Sequence, residues 1–491
     1  MRSFLEIEEI LLDQEKKSEI QKPLSKKRLL FLYFLIFICF FVLLIRTADL
    51  QIVRGNYYRK LAEENMIMAE SIPGLRGVIY DTNGRQLASN TLNLKEKNVR
   101  QYFDGPILAH IIGYTNSENL GQTGLELVYQ EYLKGEDGKK RIEVNSLGQN
   151  QRTIALQEPV SGNNLVLNID FDLQKKLYDT LPESPSAGVI LDSTTGGVLA
   201  LVSKPSFDNN LLSQGISEAD YQKLIQDPQK PLFNRAISGQ YPPGSTIKPL
   251  MASAALEEKV IDPWKEITDV PYLEIRNQYN PDIVYKFPDW KDHGKVNMVK
   301  AIQESCNIYF YRIGEKLGWR NIKKYASIFN LGSTLGIDLP NEAKGFVPEQ
   351  GWLGDLYHTA IGQGDLTATV LQINAYTAAI ASNGRLYQPQ IVDKIVDSDN
   401  NLVKDILPKI LKSNFIQEKN LEIIQQGMDQ GYDHGKTGTA QFTSEKDKYR
   451  AWYTSYKDNL VITILVEQGI SGQQNAMPIA REIYKWYDSN Q

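Results

Sequence analysis

Tyr241-Pro242-Pro243-Gly244-Ser245-Thr246-Ile247-Lys248-Pro249 is the stretch on which the reading of this chain turns. The prolines and the glycine close one element, and Ser245 opens the next. Residues 250–258, rich in Ala, Leu and Met, predict a helix. Ser245 and Lys248 stand three residues apart, so a helix start puts both on one face, one turn apart. A serine hydroxyl needs a base beside it to act as a nucleophile. A lysine held neutral by burial or by a second cation supplies that base. Ser-x-x-Lys at a helix start is therefore a compact nucleophile–base pair. It also recurs by chance, so its weight depends on the rest of the chain.

At 491 residues the chain exceeds one ordinary domain and predicts two or three. With 42% hydrophobic and 23% charged residues and a net charge of −5 it is globular in composition. No basic block marks a nucleic-acid binder. Two cysteines, Cys39 and Cys306, are too few for a disulfide framework and read as free thiols. The histidines His110, His293, His358 and His434 form no i, i+4 pair, and no Gly-x-Ser-x-Gly elbow occurs. A helix-borne metal site and a histidine-based serine hydrolase are both disfavoured.

Residues 1–28 are polar and end in Lys26-Lys27-Arg28, and residues 29–45 are an unbroken apolar or aromatic run. That run is at the short end of the spanning range, with Arg46 able to snorkel, so residues 29–46 are expected to cross a membrane once. The basic cluster before it favours a cytoplasmic N-terminus. Residues 47–70 read as helical and polar. Asn83-Gly84 between apolar runs predicts a hairpin. Residues 139–168 alternate as strands. The texture changes near Asn168: an amphipathic helix over 172–181, a hairpin of strands 187–192 and 198–202, a late apolar strand over 460–466 and a closing helix over 477–487. Strands at both ends with helices between predict an α+β domain whose sheet unites distant segments.

Two more short motifs join Ser245. Ser305-Cys306-Asn307 lies in an apolar segment, where a hydroxyl and an amide two residues apart point the same way from a turn between helices. The rival Ser398-Asp399-Asn400 reads as a surface hairpin turn. Lys436-Thr437-Gly438-Thr439 follows Gly435, and its glycines suggest a strand closely approached by a ligand. Lys436 offers a cation for a carboxylate and a second charge to depress the pKa of Lys248.

Ser-x-x-Lys, then Ser-x-Asn, then Lys-Thr-Gly, in that order, is the serine acyl-enzyme pattern. With it the chain resembles the class B penicillin-binding proteins. The likeness extends to Arg76-Gly77 through Gly84 and Gly124-Leu125-Glu126 in the N-terminal part. Further on it includes Pro205-Ser206-Phe207-Asp208, Gly336-Ile337-Asp338-Leu339-Pro340 and Gly362-Gln363-Gly364. Asn383-Gly384-Arg385-Leu386-Tyr387 and Ile308-Tyr309-Phe310-Tyr311 resemble the elongation type, penicillin-binding protein 2, more than the septal one. Val370-Leu371-Gln372 departs from the family's usual Pro-Leu-Gln.

The resemblance implies an α+β protein in four parts: a cytoplasmic tail (1–28), a transmembrane helix (29–46), an elongated, mostly-β pedestal or dimerisation-type domain (47–168) and a serine β-lactamase/transpeptidase-like domain (169–491). It implies a peptidoglycan DD-transpeptidase that cross-links stem peptides through a Ser245 acyl-enzyme. Lys248, Ser305 and Lys436 would share the catalysis. Asn307, Thr437, Gly438 and Thr439 would bind substrate. Implied partners are D-Ala-D-Ala stem peptides and an acceptor amine, β-lactams as covalent inhibitors, the membrane, and a SEDS-family glycan polymerase with other elongation proteins. Some elongation enzymes carry zinc near the equivalent of residues 270–306. Asp282, Asp289 and His293 lack an accompanying cysteine on this reading, so no metal and no cofactor is expected. A septal transpeptidase, a β-lactam receptor and an inactive scaffold are the alternatives.

Overall fold

The computed structural model describes residues 25–65, 67–92, 98–144, 149–277, 279–441 and 448–490. The first 24 residues of the expected tail lie outside the described residues. The chain divides into two compact units, Met1–Ile72 with Gly138–Glu158, and Pro73–Asp137 with Pro159–Gln491.

Among the described residues of the first unit one helix, Lys26–Val53, is long and apolar enough to cross a membrane. It starts before and ends after the expected span, with its last residues, Asp49–Val53, in a π-helical turn. None of its side chains is buried by protein, as expected of a surface meant for lipid. A helix Gly55–Asn65 follows, then strand Ile67–Ile72. That strand pairs antiparallel with Gly138–Val144, which pairs antiparallel with Asn150–Gln157.

The second unit is built on two sheets. Five strands, β1 (Ser186–Asp192), β2 (Val198–Lys204), β3 (His434–Gln441), β4 (Tyr449–Lys457) and β5 (Leu460–Gly469), form an antiparallel sheet in the order β3-β4-β5-β1-β2. The expected strands are all present and somewhat longer. Alternation sends successive side chains to opposite faces. Ile190, Ile462 and Ile464 pack with Leu173, Leu177, Ile483 and Tyr484 from the helices Phe171–Thr180 and Met477–Asn490. Val189, Leu191, Val461 and Leu465 face the larger core on the other side. There sits a helix, Val370–Ala381, with eleven of its twelve residues buried. Its Asn374 amide donates to Val189 O and Val461 O at 3.0 and 3.2 Å, fastening the helix across two strands. β3 is an edge strand, so among the described residues one side of its backbone has no strand partner.

The second sheet has six strands in the order 402–405, 392–396, 164–167, 79–80, 86–92 and 98–102. It joins strands from both sides of residue 168. The Asn83-Gly84 hairpin forms, with Gly84 at φ +80°. Ser398-Asp399-Asn400 is the turn of another hairpin, with Asn400 at φ +64°. Beside this sheet Glu126, fully buried, accepts from Arg76 Nε at 2.5 Å and Arg100 Nε at 2.7 Å. One carboxylate between two buried guanidinium groups leaves two uncompensated charges if it is neutralised.

Glu126→Gln is therefore expected to lower unfolding stability by about 3–5 kcal/mol. Arg85→Ala, which breaks the exposed Arg85–Asp172 pair, is expected to cost under about 1 kcal/mol. Chemical denaturation of both variants of the full chain checks the contrast.

Candidate active site

Pro249 sets the local geometry around Ser245. It has no N–H to reach back four residues, so Ser245 O is satisfied by Lys248 N in a 3₁₀ turn, Gly244–Ile247. An α-helix, α1 (Lys248–Glu257), continues from it. In a 3₁₀ turn side chains at i and i+3 eclipse, which stacks Ser245 and Lys248 more closely than an α-turn does. Thr246 Oγ1 caps Pro243 O at 2.7 Å, and Tyr376 Oη donates to Thr246 O. Trp452 Nε1 donates to Pro242 O at 3.1 Å.

Glycines let the turn sit against its neighbours. Gly244 has φ +56° and donates to Gly362 O at 2.8 Å. A Cβ at Gly438 would lie 2.7 Å from Pro243 O. The close approach read from the Lys-Thr-Gly glycine is thus made by the protein's own nucleophile turn. The same approach sets Thr439 N only 3.1 Å from where a Gly244 Cβ would be. The Thr439 amide thus lies beside the residue that precedes Ser245.

Lys248 is completely buried. Its Nζ donates to Ser305 O at 2.7 Å, Ser305 Oγ at 3.2 Å and Asn307 Oδ1 at 2.7 Å, using all three protons of an ammonium. Burial lowers its pKa to about 8, against the opposing pull of Asp289 and Cys306. Lys436, 2% exposed, is held well below its usual value by burial first and then by Lys248. The sequence reading had Lys436 depressing Lys248. Desolvation is the leading cause at both amines, and the repulsion between the two, which is reciprocal, comes after it.

Ser305 sits between the helix Met298–Gln303 and a second long helix, α2 (Asn307–Ile328), at φ +60°. A serine in the left-handed region is strained, and such strain recurs where a site constrains the backbone. Asp289 Oδ2 accepts from the first amides of α2, Asn307 N at 2.7 Å and Ile308 N at 3.1 Å. This fixes the helix start that carries Asn307.

Ser245, Ser305, Asn307, Thr437 and Thr439 line one cavity of about 770 Å³. Lys248 and Lys436 lie buried beside it, and Gly438 is buried against the nucleophile turn. All eight predicted site residues thus come together from three distant segments. Sequence reasoning missed the rest of the lining, among it Trp290, Tyr311, His358, Tyr449, Arg450 and Ile470. Of these only Tyr311 stood in a quoted stretch, Ile308 to Tyr311, where it was given no site role; Pro242, Gln363 and Gly364, also on the lining, stood in others.

The expectation of no metal rested on a missing cysteine, and that premise fails. One ligand atom from each of Asp269, Asp289, His293 and Cys306 falls within 4.8 Å of the others. Cys306 is the middle residue of the Ser-x-Asn motif, a place that masks it as a ligand in the sequence. Asp282 is exposed and outside the cluster. His293 Nδ1 is 3.0 Å from Glu304 Oε2, while its buried Nε2 has no hydrogen-bond partner and lies 3.5 Å from Asp289 Oδ1. A ring nitrogen held by a carboxylate and the other aimed at acidic and thiol ligands is the arrangement of a metal-binding histidine. One N, one S and two O donors suit zinc, and four protein ligands make a closed, structural site.

Comparison with known proteins gives matches along most of the chain. Residues 186–485 match the penicillin binding protein transpeptidase domain, and residues 91–167 the penicillin-binding protein dimerisation domain. The peptidoglycan D,D-transpeptidase MrdA of Haemophilus influenzae is 31% identical, over 88% of this chain and 75% of its own. The structure of Helicobacter pylori penicillin-binding protein PBP2 in complex with MreC superposes with a TM-score of 0.74 at 27% identity, covering 87% of this chain and 99% of that one. A component of a peptidoglycan synthase complex that coordinates polymerization and crosslinking gives 0.75 at 26% identity, with coverages of 94% and 99%.

Metal analysis of the purified full chain is expected to find about one zinc per molecule. Cys306→Ala is expected to lose it, and chelation of the parent to lower its melting temperature. Parent protein free of metal, with a melting temperature indifferent to chelator, would reject the site.

Proposed function

The chain belongs to the penicillin-binding protein transpeptidase family, and on that premise we propose how its residues divide the work. The protein is a serine-type D-Ala-D-Ala transpeptidase of peptidoglycan, of the elongation type, inhibited by β-lactams. The observation that carries the assignment of roles is the buried Lys248 amine, held against Ser305 and Asn307 beside Ser245.

Lys248 in its neutral form has two protons and a lone pair, so it gives up one of its three acceptors and turns the lone pair to Ser245 Oγ. It takes the hydroxyl proton as Ser245 attacks the carbonyl of the penultimate D-Ala. The oxyanion lies between the N–H groups of Ser245, at a helix start, and Thr439. Ser305 passes a proton to the leaving D-Ala amine, and Lys436 tunes that transfer. Asn307 holds the stem-peptide amide, while Lys436, Thr437 and Thr439 bind the terminal carboxylate. Gly438 keeps β3 against the nucleophile turn. The edge of β3 accepts the stem as an added strand, displacing Gln363 Nε2 from Thr439 O. An amine of a second stem then attacks the acyl-enzyme and frees Ser245. A β-lactam acylates Ser245 in the same way and stays. Asp269, Asp289, His293 and Cys306 would hold zinc, whose part is to fix the Ser305-Cys306-Asn307 turn.

The protein is membrane-anchored and works with other cell-wall proteins. In the finer reading the N-terminus is cytoplasmic, supported by Lys26-Lys27-Arg28 before the span. The catalytic domain, read as 169–491, is extracytoplasmic. Residues 47–168 act as a pedestal that couples it to a SEDS-family polymerase. The likeness to a synthase complex that coordinates polymerization with crosslinking supports this partner.

Cross-linking of polymerised lipid II, with and without a glycan polymerase, tests the reading. The parent is expected to cross-link, most strongly with the polymerase, and to give one β-lactam adduct by intact mass. Ser245→Ala is expected to do neither. Adduct without cross-linking under any condition would favour a receptor or scaffold, and an adduct on Ser245→Ala would reject the nucleophile.

A further inference from the structure

The cleft does not end at its motif residues. Tyr311 and His358 on its wall lead onto a run of aromatic rings. Phe287, buried, lies 5.4 Å from the His358 ring, 6.0 Å from Tyr311 and 6.3 Å from Trp352. Trp352 in turn meets Tyr285 edge-on at 5.0 Å. At that outer end the rings are open: Trp352 is 45% exposed and Tyr285 37%. Trp290, on the cleft lining itself, is 62% exposed. Tyr285 and Phe287 share one strand, Val284–Pro288, of a two-stranded hairpin with Tyr272–Arg276.

Exposed indole and phenol rings next to a catalytic cleft need a reason, because large aromatic faces left in water are costly and are concentrated at binding sites. Core packing does not supply it, since Phe287 and Tyr311 fill the interior and Trp352 and Tyr285 lie outside it. The substrate supplies one. Each stem peptide hangs from a sugar of the glycan strand, so a stem seated at Ser245 brings its sugar close by. From the scissile carbonyl to the sugar is about four residues, or at most roughly 14 Å when extended. Two ring-to-ring steps of 5.4 and 6.3 Å lead from His358 on the cleft wall outward to Trp352, the direction an extended stem would take its sugar. Sugar rings present flat C–H faces that lie on aromatic faces, with hydroxyls at the rim for polar partners. Asn277 Nδ2, which donates to Tyr285 Oη at 3.1 Å, and Asp355, which accepts from Trp352 N at 3.2 Å, border the rings.

We propose that Trp352 and Tyr285, continuous with the cleft through Phe287 and His358, form a subsite for the N-acetylated amino-sugar backbone of the glycan strand. The subsite selects substrate that is part of polymer over free peptide. This rests on the transpeptidase reading, which fixes what lies in the cleft.

The test compares cross-linking of nascent glycan polymer with turnover of a sugar-free stem-peptide thioester, in the full-length parent, Trp352→Ala, Tyr285→Ala and the conservative Trp352→Tyr. The alanine variants are expected to raise KM for polymer about tenfold, with peptide turnover and β-lactam acylation held within about twofold. Trp352→Tyr is expected to keep most of the polymer affinity. Glycan stripped of its peptides is expected to inhibit the parent and spare Trp352→Ala. Equal losses on polymer and peptide would overturn the subsite in favour of a structural role, and unchanged polymer kinetics would overturn it outright. So would variants that lose only a protein partner. Intact acylation in each of those cases leaves the transpeptidase reading standing.

Discussion

A single amine sealed from water governs this structure. Lys248 has no solvent exposure and three oxygen partners, two of them on Ser305 and one on Asn307. Burying an ammonium is costly unless it is fully hydrogen-bonded, and here the partners come from a different segment of the chain. The bonds hold the Ser305-Cys306-Asn307 turn against the nucleophile helix, while burial, by stripping the ammonium of water, makes its proton easier to lose. Lys436 nearby is pushed the same way, by burial and then by the Lys248 charge.

Much of the surrounding fold serves to hold that amine in place. The sheet brings β3, from near the end of the chain, to the turn formed around residue 245. Gly438 and Gly244 let the two backbones approach closer than side chains allow. Asp289 holds the first turn of α2, and the acid–histidine–cysteine cluster behind it sets Cys306 beside residues 269 and 293. Farther off, the paired arginines on Glu126 fix the segment next to the second sheet, at the cost of a carboxylate that has no substitute.

The motifs were legible because their chemistry is local. Ser245 and Lys248 share a turn, and Pro249 even dictates its type. The strands at 186–204 and 460–469 announced themselves by apolar runs, and Ser398-Asp399-Asn400 was correctly set aside as a turn. What could not be read was whatever depends on segments meeting in space. Asp269 and Asp289 stand among charged neighbours, and nothing in their spacing tells that they close around His293. Cys306 looked spoken for by the motif that contains it. The cleft's aromatic wall is drawn from residues 285 to 358, with no period or motif to link them. The second sheet likewise joins residues 79–102 to 392–405, a pairing that local pattern cannot encode.

The central claim is that Ser245 is activated by an amine made neutral through burial. The rate of acylation by a β-lactam, followed against pH in the intact chain, tests it most directly. Because the pKa of Lys248 is lowered from 10.5 to about 8, the neutral form gains as pH rises through that value. The account predicts a rate that climbs about tenfold per pH unit below 8 and levels off above it. A rate that is flat from about pH 6 to 9, or that keeps rising past about pH 10 as for a solvated lysine, would contradict it.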